Sequence, residues 1–332
     1  MSARTTIFFP AFILAITTSA CSRQAAKPPQ QAIGLLVRGA RLLHQRRLDQ
    51  AAAAYRLALE YRPNLAEAYN GLALVALARN DAPRATVYLK RAISLKEDFA
   101  EAHNNLGALF LSQGRPRRAL VQFRQALSID PGYQSARRNL VLVLTELGRF
   151  RQAREHLLRM SAAMENSAWT WAALGSIDLD LGHPDRAARQ ARKALSLNDN
   201  CPLAHITLAR LALKRHQPRQ ALEQLHRILA LERNDWQASH YMTVALLVLG
   251  QTGQALKWSK KTLALRPNNP QVQFVAGWTL LASGRRHAAR RHVKRALALK
   301  PHFPQARALL AAIDQTGNAK LAKVPGGPSR RY

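Results

Sequence analysis

The sequence predicts an all-α solenoid of eight stacked helical hairpins, and three observations carry that reading. An alanine returns every 34 residues, at Ala51, Ala85, Ala119, Ala153, Ala187, Ala221, Ala255 and Ala289. Glycine and proline recur in phase with it: Gly114, Gly148, Gly182, Gly250 and Gly284, then Pro63, Pro131, Pro267 and Pro301. The 332-residue chain is 48% hydrophobic but only 6% aromatic, a balance that suits helices packed through small side chains. A chain this apolar can bury a core, which excludes global disorder. No apolar run reaches the roughly 20 residues of a spanning helix, which excludes a polytopic membrane protein. Two cysteines exclude a disulfide scaffold and a multi-cysteine zinc domain.

Residues 1–20 read as an export signal and stay outside the fold. Arg4 supplies a positive charge, Ile7 to Ile16 a short apolar stretch, and Thr17 to Cys21 a run of small residues. The closing Ser19-Ala20-Cys21 resembles the lipobox of bacterial lipoproteins, with Thr18 where that group usually has leucine. The resemblance implies cleavage before Cys21 and lipidation of that cysteine. Because Ser22 follows, and not aspartate, it further implies an outer-membrane anchor facing the periplasm. The alternative is a plain signal cut after Ala20, giving a secreted or periplasmic soluble protein. Residues 21–31 then hold the lipidated cysteine and a polar tether containing Pro28-Pro29.

From Ala32 onward the repeat explains itself as a hairpin. Twelve residues before each alanine lies a second small-residue column: Gly39, Ala73, Gly107, Val141, Gly175, Ala209, Thr243 and Gly277. Two antiparallel helices approach closely only through small side chains, so this column is expected to meet the alanines. The glycines fall where a first helix must stop and tolerate the left-handed cap. The prolines end the second helix and reset the chain. One hairpin cannot bury its apolar face alone, whereas a stack can.

The period and columns resemble the tetratricopeptide repeat family over residues 32–303, eight tandem copies without insertion. Copy 100–133 is fully on pattern, with Asn104-Asn105-Leu106-Gly107, Gly114-Arg115, Ala119, Phe123, Ala126 and Pro131. Arg38, Met160, Ile228 and Thr262 depart from it without shifting the phase. The resemblance implies a right-handed superhelix, a cap helix over 304–314 and a basic disordered tail over 315–332.

Catalytic constellations are missing from the sequence. It holds no His-Glu-x-x-His metal pair, no phosphate-cradling Gly-x-x-x-x-Gly-Lys and no Gly-x-Ser-x-Gly elbow. Asp178, Asp180, His183 and Asp185 cluster most, and read as a solvated hairpin end. No enzyme activity, cofactor or metal is expected.

The family resemblance implies an inner groove lined by first helices, with the fifth and sixth residues of each copy facing inward. These are Asn70 and Gly71, Asn104 and Asn105, then Arg138 and Asn139. An amide both donates and accepts, so such a row can pair with a peptide backbone. It resembles the asparagine ladder of protein O-GlcNAc transferases, whose transferase domain is missing here. The alternative is that asparagine merely suits the wet side of a helix. Later copies turn apolar and aromatic through His240, Tyr241, Phe274 and Trp278, which suits an amphipathic partner helix.

Charge is unevenly placed. There are 50 Lys and Arg against 19 Asp and Glu, a formal +31. From Trp236 onward 16 basic residues face one acid, Asp314. Arg286, Arg291 and Arg295 crowd one hairpin as a candidate anion-binding stripe; the alternative is a compositional arginine bias on solvated faces. For an exported protein the matching partner is an anionic lipid or acidic protein; nucleic acid enters only without export. The expected function is an envelope-anchored scaffold holding a protein or peptide in its groove. Layout resembles tetratricopeptide lipoproteins that assist pilus-secretin assembly or polysaccharide export.

Overall fold

The computed structural model describes residues 30–163 and 167–315. The expected export signal, Cys21, most of the expected tether and the expected tail beyond Gln315 lie outside the described residues. Among the described residues the chain is helical throughout, with no strand, and it divides into two compact units at His156 and Leu157.

The first unit pairs α1 (Gln30–His44) with α2 (Leu48–Tyr61), α3 (Ala66–Ala78) with α4 (Ala82–Leu95), and α5 (Ala100–Ser112) with α6 (Pro116–Ile129). Next come α7 (Gln134–Glu146) and α8 (Phe150–Ala163), the latter carrying the boundary. The second unit pairs α9 (Ala168–Asp180) with α10 (Pro184–Leu197) and α11 (Pro202–Lys214) with α12 (Pro218–Leu231). It continues with α13 (Trp236–Val248) and α14 (Thr252–Leu265), α15 (Pro270–Ala282) and α16 (Arg286–Leu299), then α17 (Pro304–Gln315). Helix α1 starts at Gln30, inside the stretch expected as tether, and α17 ends one residue beyond the expected cap.

Each first helix ends on a residue in the left-handed region. Gly114 is typical at φ 69°, where its N–H donates to Leu111 and the Arg115 N–H reaches back to Phe110 at 2.9 Å. This double bond pattern satisfies two carbonyls that the helix end would leave orphaned. Three hairpins make the same turn without glycine, through Arg46, Asn80 and His216 at φ 58–61°.

Packing corrects one detail of the small-residue argument. The eight alanines are all fully buried, as close helix approach requires. The glycines opposite them mostly make room for something larger. A Cβ on Gly107 would lie 2.7 Å from the Phe123 ring, and one on Gly39 2.6 Å from Tyr55. Gly71 of the next hairpin crowds the same Tyr55 ring at 2.4 Å. A fully buried aromatic contributes about 1.5–3 kcal/mol, so these hairpins gain an anchor where the sequence pattern suggested only backbone proximity. Gly277 likewise makes room for Val293, whose Cγ2 lies 2.5 Å from a virtual Cβ, while Gly175 does meet backbone, at the Ala187 carbonyl 3.1 Å away.

First helices of consecutive hairpins also touch one another. In the first unit α1 meets α3, α3 meets α5 and α5 meets α7. In the second, α9, α11, α13, α15 and α17 form the same chain of contacts. Second helices carry the outer surface: Val87 on α4 and Val121 on α6 are 64% and 61% exposed. Within each unit the first helices therefore form the inner wall.

Candidate functional site

A partly open groove of about 240 Å³ lies on the inner wall of the second unit. Four successive first helices, the α16–α17 connection and the start of α17 build it. Helix α9 contributes Asp180, α11 contributes Arg210 and Lys214, and α13 contributes His240 and Tyr241. Gln271 and Phe274 come from α15, with Lys300, Phe303 and Gln305 closing the end. The repeat explains the convergence. Residues four apart share a helix face, so Ile206, Arg210 and Lys214 stack along α11 as His240 and Val244 do along α13.

The walls are aromatic. His240 and Tyr241 meet edge-on with ring centroids 5.1 Å apart, and Phe274 lies 5.1 Å from Phe303. Desolvation holds the fully buried His240 imidazole down at about pKa 4, so the ring is neutral near pH 7. Its Nδ1 is buried and has no hydrogen-bond partner in the protein.

Charge is arranged around those rings. Arg210 donates to Ser176 at 3.1 Å and pairs with Asp180. Its burial is opposed by the nearby Tyr241 and Asp180, which hold the guanidinium firmly charged. Lys214 donates to the Leu179 carbonyl at 3.4 Å, and desolvation followed by Arg210 repulsion pulls its pKa down against the attraction of Asp180. Lys300 sits over the Phe303 ring at 5.3 Å.

The asparagine row occupies the first unit and is buried, which differs from both sequence readings. Asn70, Asn104, Asn105 and Asn139 are each at 0% exposure. Asn105 donates to Asn70 at 2.9 Å, and Asn70 passes the chain on to Glu101 at 3.1 Å. Asn139 donates to Asn104 at 2.9 Å. The amides thus bond between hairpins, one 34-residue step apart plus one residue, because positions five and six of adjacent first helices face each other, while Asn104 Nδ2, Asn105 Oδ1 and Asn139 Oδ1 are buried without a partner among the described residues. Burial raises the Glu101 pKa, and the Asn70 hydrogen bond opposes that shift. Arg138 is half-buried beside them, its pKa lowered by desolvation.

Other sequence candidates scatter. Trp278 is half-buried against the second unit's core and does not line the groove. Asp178 is fully buried, not solvated as the hairpin-end reading had it, while Asp185 makes an exposed pair with Arg215. On α16, Arg286 donates to the Asp314 carbonyl at 3.3 Å and Arg295 to Asn268 at 3.2 Å, while Arg291 stays exposed. Asp314 takes its ion pair from Arg290. Cys21 lies outside the described residues.

Arg210, Lys214, Gln271, Lys300 and Phe303 escaped the sequence reading as groove residues. A usable signal existed for the first two. They follow Ile206, an inward fifth position, by four and eight residues, and so share its face. Lys300 and Phe303 carry no such signal, since they lie in the irregular connection after α16.

Tetratricopeptide repeat family models match residues 36–98, 110–176, 178–245 and 246–313. No curated protein sequence matches the chain significantly. Among solved structures, the chain resembles the Cut9–Hcn1 hetero-tetramer of the APC/C at 17% identity and TM-score 0.63. That match covers 84% of this chain and 55% of the other, so this chain spans about half its length. A tetratricopeptide repeat protein from Parabacteroides merdae matches at 18% identity and TM-score 0.61, covering 75% of this chain and 99% of that one. PilW, described as a widely conserved type IV pilus biogenesis factor, matches at 21% and 0.55, covering 63% and 97%. At these identities the likeness is one of fold.

Proposed function

The chain belongs to the tetratricopeptide repeat family, and on that premise we propose that it is a non-enzymatic scaffold of the bacterial cell envelope. It holds an extended segment of a protein partner against the first-helix wall of its second unit. One observation carries this reading: four consecutive first helices send aromatic and charged side chains into a single open groove. The asparagine row of the first unit serves cohesion between hairpins, leaving the second unit as the recognition surface.

Placement in the envelope is supported by the small-residue run that ends at Cys21, which suits a lipid anchor in the outer membrane facing the periplasm. The layout of a signal, a lipidated cysteine and tandem repeats suits a part in assembling a pilus-secretin or polysaccharide-export complex, and the fold shared with a type IV pilus biogenesis factor agrees with the pilus side of that reading. The basic face of α16 supports an additional contact with an anionic lipid surface or acidic protein. It also favours the one competing reading, a soluble polyanion-binding repeat protein.

Crosslinking pull-down from envelope fractions tests the scaffold. The wild-type chain should recover a discrete partner, and Tyr241→Ala combined with Gln271→Ala should recover much less. Equal recovery contradicts the groove. In the same strains Cys21→Ala should free the protein from membranes or block signal removal. Unchanged membrane association with normal processing contradicts the anchor.

A further inference from the structure

We infer that the outer face of α4 and α6, in the first unit, is a contact surface for an anionic lipid membrane. The inference rests on the envelope placement above and names the face through which the chain lies on the bilayer. Val87 and Val121 are 64% and 61% exposed, the most exposed large apolar side chains among the described residues. They occupy the same position of consecutive hairpins, one 34-residue step apart. Residues three and four apart share a helix face, so each valine is set among cations. Lys90 and Arg91 lie one turn after Val87 on α4. On α6, Arg117 and Arg118 lie one turn before Val121, and Arg124 one turn after it. Neither helix contains an acidic residue. All five cations are exposed, and none forms an ion pair among the described residues.

The chemistry favours lipid over other anions. Exposed valines gain nothing from a soluble polyanion, whereas the headgroup boundary of a bilayer takes up apolar groups while its phosphates meet the cations. Long basic side chains lay their methylene stems along that apolar surface and keep the charged ends at phosphate level. Outer faces of the second unit lack the combination: the positions corresponding to Val87 are Arg189, Glu223, Lys257 and Arg291. Chain order agrees. Helix α1 starts at Gln30, nine residues after Cys21. Nine residues span at most about 32 Å, so a lipid on Cys21 would hold the first unit close to the membrane.

Vesicle flotation with the full-length chain tests this. The background carries Cys21→Ala, which removes the lipid anchor, and Arg291→Glu with Arg295→Glu, which silences the basic stripe on α16. Vesicles are phosphatidylcholine alone or an equal mixture with phosphatidylglycerol. The chain should partition at least about tenfold more tightly onto the mixed vesicles than onto the neutral ones. Lys90→Gln, Arg91→Gln and Arg124→Gln together should remove that preference. Val87→Ser with Val121→Ser should weaken binding to the mixed vesicles severalfold, with circular dichroism of both variants unchanged. A preference that survives the charge variant overturns the inference and makes these cations a matter of composition. Binding indifferent to the valine variant also overturns it, and makes the face a site for a soluble polyanion. Either failure leaves the envelope reading standing. Ionic contacts of this kind are screened at high salt, so salt-washed envelope fractions of Cys21→Ala test the lipid anchor separately.

Discussion

Asn139 donates its side-chain amide to Asn104 at 2.9 Å across adjacent hairpins, and both residues are fully buried. Asn105 repeats the arrangement with Asn70 one hairpin earlier. A polar bond of this kind fixes the register of one hairpin on the next, because a slip would leave buried amides unpaired. Removing one partner should therefore cost stability. Asn139→Ala leaves the Asn104 carbonyl oxygen without its donor, a loss of about 1–3 kcal/mol. Urea unfolding followed by circular dichroism should show a lower midpoint, with partner recovery reduced only in proportion to the unfolded fraction. An unchanged midpoint with weakened partner binding would return the row to ligand recognition.

His216 ends α11 at φ 58°, where glycine stands in five other hairpins. A non-glycine residue in the left-handed region costs about 1–2 kcal/mol, and glycine gives part of that back through the entropy it loses on folding. His216→Gly should then stabilise the chain by about 0.5–1 kcal/mol. The side chain is exposed, so no packing is lost. A lower unfolding midpoint in this variant contradicts the cap analysis.

The buried His240 ring makes a pH prediction whose sign follows from its depressed pKa. Above pH 6.5, the ordinary histidine value, the ring is neutral in both folded and unfolded chains. As pH falls below that value the unfolded chain takes up a proton that the folded one refuses, so stability declines. The decline levels off near pH 4, where the folded ring also protonates. At about 1.36 kcal/mol per pKa unit the total is on the order of 3 kcal/mol. His240→Gln should flatten this part of the profile. Parallel profiles for wild type and variant between pH 4 and 6.5 would contradict it.

Much of the fold was legible because backbone geometry writes itself into spacing. The helix starts from Leu48 to Arg286 keep the 34-residue step of the alanine column, and the glycine caps fall where the phase puts them. Arg46, Asn80 and His216 show where such reading stops, since their left-handed turns are imposed by the stack and not by residue type. The groove was half legible. His240 and Phe274 line it, at the inward positions of their copies, but Trp278 turns to the core. The burial of the asparagines was not legible, because a single copy cannot reveal that positions five and six of neighbouring copies bond to each other. Lys300 and Phe303 meet the groove only through the path of the α16–α17 connection.

On α16 the basic face is partly spent inside the fold, through Arg286, Arg290 and Arg295. Arg291 is exposed, and Arg295 one turn on keeps its charge because its partner Asn268 is neutral, so both face an anionic partner. At physiological salt such attraction is screened over about 8 Å. Retention on vesicles containing anionic lipid should be strong at low salt, fall as salt rises, and drop in an Arg291→Glu, Arg295→Glu variant. Retention unchanged by the double reversal would make the charge a matter of composition.

Partner recognition by the second unit's inner wall is tested most directly by photo-crosslinking in living cells. A photoreactive amino acid placed at Gln271 lies on the groove lining, while one at Val121 lies on the outer face of the first unit. The account predicts a discrete crosslinked protein adduct from position 271 and none from position 121. Adducts of equal yield from both positions, or an adduct confined to 121, would contradict it.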